Sequence, residues 1–194
     1  MAADSIKFIN YLHINDYIGG YYIDPFELRP DNKDRHLFKN ILKLLFIPGN
    51  DIYILCAHLT GDPSSKSLQM VYDSLTTFGN KVDVVDDSKP VKVDQFCARI
   101  QYHQEHSANL LMELWHNYKQ VSFFRPSDDL HWNTFISYGN NLFQPDPDAK
   151  KMFTFDFMNF VFIKGSGGDS LSINHKKSYA LPDLKDIILG KYKN

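Results

Sequence analysis

At 194 residues, 43% of them hydrophobic and 23% charged, the chain suits one globular domain with a real core and excludes a disordered one. A net charge of −2 excludes a general electrostatic pull towards nucleic acid or an anionic membrane. No apolar run is long enough to span a bilayer as a helix, and MAADSIKFIN lacks the basic and apolar regions of a signal peptide, so a cytoplasmic protein is expected.

The first clear element is residues 31–46, DNKDRHLFKNILKLLF. Leu37, Ile41, Leu44 and Leu45 recur at helical spacing, Asp31 stands where a cap belongs, and Pro48-Gly49 ends the pattern. Ile52 to His58 is β-branched and apolar and reads as a buried strand, with Cys56 inside it as a small hydrophobe. Residues 64–79 read as a second helix. Leu68, Val71, Tyr72, Leu75 and Phe78 form its face, Ser64 or Ser65 its cap, and Gly79 its C-terminal stop. KVDVV, residues 81–85, is a short strand. Cys56 and Cys97 are the only cysteines, too few for a disulfide scaffold.

Residues 95–103 fit two patterns. Phe96, Ala98, Ile100 and Tyr102 alternate with polar neighbours as in a half-buried strand, yet Phe96, Ile100, His103, Leu110, Leu111, Leu114 and Tyr118 also fit one helical stripe. The helical pattern puts His103 and Ser107 on an apolar face, which is costly unless both are hydrogen-bonded. Strand followed by helix is therefore preferred. In the second half, QVSFF, LHWNTFISY and MFTFDFMNFVFIK read as strands, GSGGD as a turn, and SLSIN as the partner of the last strand. PDLKDIILGKYKN gives a final helix, with Pro182 in its first turn and Gly190 past its end. The expected fold is α+β, a single domain over residues 1–194 with a mixed or mainly antiparallel sheet packed with about four helices.

The densest chemistry lies in HQEHSANLLMELWH, residues 103–116. At 100° per residue His103, His106 and Glu113 share a sector of roughly 80°, which makes them weak candidates for metal ligands. The i, i+4 pairing of HExxH is absent, and no second ligand cluster exists to complete a shell. A polar flank on a helix whose apolar face is Leu111, Leu114, Trp115 and Tyr118 is the better account. His58-Leu59-Thr60 resembles half of the paired H-x-[ST] signature of the 2H phosphoesterases, which implies a histidine that moves a proton across a phosphodiester. The other half is missing, because His13-Ile14-Asn15, His131-Trp132-Asn133 and His175-Lys176-Lys177 all lack the hydroxyl. PDPDAKK carries Asp146, Asp148 and Lys150 in one Pro-rich loop, whereas magnesium-dependent nuclease chemistry needs carboxylates converging from neighbouring strands. KGSGGDS precedes a strand-like segment instead of opening a helix, so it reads as a hairpin turn and not a phosphate loop.

No catalytic signature survives, and no cofactor is expected. The charge distribution points elsewhere. Residues 83–148 carry ten carboxylates against five Lys or Arg, while residues 175–194 carry five Lys against two Asp. RPSDDLHWN sets two of those acids beside a tryptophan, a residue favoured as an interface anchor. This character is shared by bacterial immunity proteins, which neutralise a toxin by occluding it. The expectation is a protein-binding inhibitor of that type, taking a basic protein partner such as a toxin domain and neither nucleic acid nor membrane. Asp86, Asp87, Asp128 and Asp129 are the expected contacts, with Trp132 as anchor. The alternative is a metal-dependent or phosphoester-processing enzyme using a histidine cluster.

Overall fold

The computed structural model describes residues 8–14, 16–28, 33–59, 73, 81–84, 95–128, 130–136, 158–165 and 169–178. They form an eight-stranded antiparallel sheet of β1 (Phe8–His13), β2 (Ile18–Asp24), β3 (Asp51–Leu59), β4 (Lys81–Val84), β5 (Gln95–Gln101), β6 (Tyr118–Pro126), β7 (Met158–Lys164) and β8 (Leu171–Lys176). The strand order is β1-β2-β8-β7-β6-β3-β5-β4, and every neighbouring pair is antiparallel. Two helices accompany it, α1 (Lys33–Leu45) and α2 (Gln104–Asn117), and residues 132–136 are also helical. Among the described residues the helical complement is thus nearer three than the expected four. None of these helices is long and apolar enough to cross a membrane.

Strand alternation divides the sheet into two faces. From β3, Ile52, Ile54 and Cys56 point to one face, where they join Phe96, Ala98 and Ile100 of β5 and Val121 and Phe123 of β6. The same cluster takes in Phe38, Ile41, Leu42 and Leu45 of α1 and Leu111, Leu114 and Trp115 of α2, so both helices lie on this face. Phe38 is its hub, with ring centroids 5.8 Å from Trp115, 6.3 Å from Phe123 and 5.7 Å from Phe162. Tyr53 and Leu55 point the other way, into a second core with Cys97, Phe124, Val161, Leu130, Trp132 and Phe135. Burial on both faces explains why Ile52 to Ala57 is apolar without alternation.

Cations from the sheet tie down both helix C-termini. Arg125 of β6 donates to the Leu45 carbonyl at 3.0 Å, at the end of α1. Lys164 of β7 donates to the Trp115 and Tyr118 carbonyls at the end of α2, and its ammonium lies 5.7 Å from the Trp115 ring. Each interaction satisfies helix carbonyls left without intrahelical partners and opposes the negative end of the helix dipole. Between the helices, Lys39 and Lys43 of α1 hold Glu105 of α2 at 2.6 and 3.3 Å. Gly49, at φ +86°, takes the left-handed conformation that turns the chain from α1 towards β3, and its N–H donates to the Tyr102 carbonyl at 3.0 Å.

Several expectations meet the structure directly. The strands over 52–58 and 120–124 are present in β3 and β6, the strand expected over 81–85 is present as β4 in its described residues 81–84, and SLSIN falls in β8, antiparallel to β7. Residues 95–101 are a strand, with α2 beginning just after His103. The stretch LHWNTFISY is corrected from strand to helix over 132–136. Its apparent alternation at Leu130, Trp132 and Ile136 conceals the i, i+3 pair Trp132 and Phe135, whose rings stack 5.5 Å apart at 22°. The hairpin of β1 and β2 was not expected at all. Asp31, Ser64, Ser65, Gly79, the helix from Pro182 and most of residues 64–79 lie outside the described residues, although Asp73 is helical.

Phe38→Ala removes the hub of the main core and should destabilise the fold by about 3–5 kcal/mol. Urea unfolding of the two proteins measures this, and a loss below about 1 kcal/mol would show that the helices are held by something else.

Candidate functional site

The weak metal-ligand candidates His103, His106 and Glu113 do not converge. His103 is the N-cap of α2, with φ −121° and ψ 64°, and its backbone N–H donates to Ser107 Oγ at 2.7 Å. Ser107 Oγ also reaches the Gln101 carbonyl at 3.3 Å, so this buried hydroxyl is satisfied inside the strand-to-helix corner. His106 and Glu113 follow on α2, seven residues apart and therefore roughly 10 Å apart along the axis at 1.5 Å per residue. Sharing an angular sector is not the same as sharing an ion. Among the described residues no group of three His, Cys, Asp or Glu side chains is arranged to hold a metal. The apolar face opposite them is present as expected, with Leu111, Leu114, Trp115 and Tyr118 buried.

The partner-facing residues divide. Asp128 is exposed in the turn after β6, while Asp86, Asp87 and Asp129 lie outside the described residues, as do Asp146, Asp148 and Lys150. Trp132 is 7% exposed and packs between Tyr53 and Phe135, at 5.2 and 5.5 Å. It is a core residue of the second face, not a surface anchor in the free chain. Glu105, one of the ten carboxylates of the acidic stretch, is already engaged, because Lys39 and Lys43 hold its carboxyl below the usual range.

Among the described residues the exposed large apolar side chains lie at one end of the sheet, four of them on the β1–β2 hairpin and Ile47 farther along. β1, β5, β6 and β8 run one way and β2, β3, β4 and β7 the other, so the β1–β2 turn, the α1–β3 turn and the exit of β6 lie at the same end of the sheet. Ile14 is 49% exposed, Tyr17 73% and Ile47 50%, all in those turns. Leu12, 50% exposed, and Tyr11, 40% exposed, are close by near the end of β1. Exposed Asp16 and Asp128 sit on this same rim. Backbone bonds hold it, from Lys177 N–H to the Tyr17 carbonyl at 2.8 Å and from Ile14 N–H to the Ile18 carbonyl at 3.1 Å. Five strand spacings separate β1 from β3, so the rim from Tyr17 to Ile47 spans roughly 24 Å. The sequence reading missed this rim because the β1–β2 hairpin that carries four of its five apolar residues was not expected.

Comparison with protein-family models, with curated proteins and with solved structures finds no match to this chain.

At the opposite end of α2, burial pushes Lys164 down to about 8 from its ordinary 10.5, despite its two carbonyl partners. Between those values the unfolded chain still binds a proton that the folded chain has released, so stability rises with pH through this interval. Buried Cys56, pushed well above its ordinary 9.0, and Tyr102, pushed up to about 12, act in the opposite direction at higher pH. The contribution of Lys164 is therefore the difference between wild type and Lys164→Met. That difference should grow in favour of wild type from pH 8 to pH 9 in thermal melts, and parallel pH profiles would contradict it.

Proposed function

We propose that the protein is an inhibitor of the immunity type, which neutralises a basic toxin domain by covering it. What carries this reading is the concentration of exposed apolar side chains on one rim of the sheet, accompanied by Asp16 and Asp128. Contiguous exposed apolar surface rimmed by charge is the signature of a docking site, and isolated exposed residues are not. A rim of roughly 24 Å suits a partner footprint of ordinary size, about 800 Å² per side.

In this reading Tyr17 takes the anchoring position first expected of Trp132. A protruding tyrosine loses little conformational freedom on burial and offers both an apolar ring and a hydroxyl. Asp128, together with Asp86, Asp87 and Asp129, supplies the electrostatic steering, which acts on the rate of encounter more than on the lifetime of the complex. The enzyme alternative based on His103, His106 and Glu113 draws no support from their separation along α2.

The test is co-expression with the product of the gene immediately upstream, followed by binding kinetics. A basic toxin or nuclease domain should co-purify 1:1. Tyr17→Ala should raise Kd by about 30-fold or more, the scale of an anchoring aromatic. Asp128→Lys should slow association several-fold, with little change in dissociation. An upstream product that is neither toxin nor nuclease, or a complex indifferent to both substitutions, would overturn the proposal.

A further inference from the structure

Beside the rim, a second feature stands on the helix-bearing face of β1, β2 and β8. Register puts His13 opposite Gly19 and Gly19 opposite His175, so two imidazoles flank a position without a side chain. Tyr11 and Tyr21 form the next row on the same face. Tyr11 leans diagonally into the gap, and its Oη lies 1.9 Å from where a Cβ on Gly19 would stand. Its ring centroid is 5.1 Å from His13 and 6.0 Å from His175. Tyr21 closes the inner side, stacked over His175 at 6.3 Å and edge-on to Tyr11 at 4.9 Å.

The tautomer of His175 follows from its partners. Nδ1 lies 2.9 Å from the Lys176 carbonyl, which can only accept, so Nδ1 carries the hydrogen and Nε2 carries the lone pair. A backbone carbonyl holding one ring nitrogen while the other stays open is how metal-binding imidazoles are oriented. The Tyr11 hydroxyl stands 3.4 Å from that Nε2. That is long for a hydrogen bond to a hydroxyl. It matches the separation of two ligands on one tetrahedral ion, about 3.4 Å when each bond is about 2.05 Å.

We propose that His175 Nε2, Tyr11 Oη and the His13 imidazole form a binding site for a divalent transition ion, Cu²⁺ or Zn²⁺. His175 is 7% exposed and fixes the site with the Tyr11 hydroxyl beside it, whereas His13, exposed on the outer strand, closes onto the ion by side-chain rotation. Two imidazoles and a phenol select this class of ion over Mg²⁺ and Ca²⁺, which seek carboxylates and carbonyls. Three protein donors leave a fourth position to water. Gly19 is required because any side chain there occupies the place of the Tyr11 hydroxyl. This proposal stands independently of the inhibitor reading.

The experiment is calorimetric titration of the full chain with Cu²⁺ and, separately, Zn²⁺. One ion per chain should bind with micromolar or tighter affinity. His13→Ala and Gly19→Ala should each weaken binding at least tenfold without altering the thermal melt in the absence of metal. The Cu²⁺ complex should show a visible phenolate-to-copper absorption that Tyr11→Phe abolishes. His106→Ala, on the exposed flank of α2, should leave binding unchanged. Absence of saturable binding below millimolar concentrations would overturn the proposal. So would binding that survives His13→Ala and Gly19→Ala, or that is lost in His106→Ala.

Discussion

The packing of Phe38 against Trp115, Phe123 and Phe162 is the contact on which the rest of the structure depends. It joins one residue of α1, one of α2 and two strands through a single ring, and it fixes both helices on one face of the sheet. Edge-to-face aromatic pairs prefer particular angles as well as close contact, so this cluster sets orientation more strictly than an aliphatic core of equal size. Arg125 and Lys164 then complete the arrangement from the sheet side by bonding the final carbonyls of α1 and α2.

Helix placement also determines what stays uncovered. β1 and β2 share the helix-bearing face, yet Tyr11 is 40% exposed at its outer edge, where the main core ends. Elsewhere on that face Phe162, Leu171 and Ile173 are sealed. The outer hairpin therefore carries side chains that a folding argument alone does not require in those positions. His13, Gly19 and His175 line up only because β2 lies between β1 and β8 in the sheet. The rim and the histidine pair both follow from strand order.

Much of the fold was readable in local pattern, and the misreadings have specific physical origins. Leu37, Ile41, Leu44 and Leu45 marked α1 because one helix face had to be apolar, and Ile52 to Ala57 marked β3 because both sheet faces had to be. Ser107 resolved the ambiguity after residue 95, since its hydroxyl is buried only by closing the corner between β5 and α2. Trp132 misled because tryptophan serves cores and interfaces equally well, and only the second face of the sheet decides between them. The histidines of residues 103–116 were legible as a polar flank, since they are exposed opposite buried Leu111, Leu114 and Trp115, and axial rise keeps His106 and Glu113 apart. The approach of His175 to Tyr11 and His13 was illegible, because 164 residues separate His175 from Tyr11 and they meet only through pairing in the sheet.

The most direct test of the account is hydrogen–deuterium exchange on the chain alone and in the presence of the product of the upstream gene. Added protection should fall on residues 12–18, 46–50 and 126–128, at one end of the sheet, while the C-terminal turn of α2 and the carbonyl contacts of Lys164 at the other end exchange unchanged. Protection confined to that other end, or spread evenly over the sheet, would contradict it.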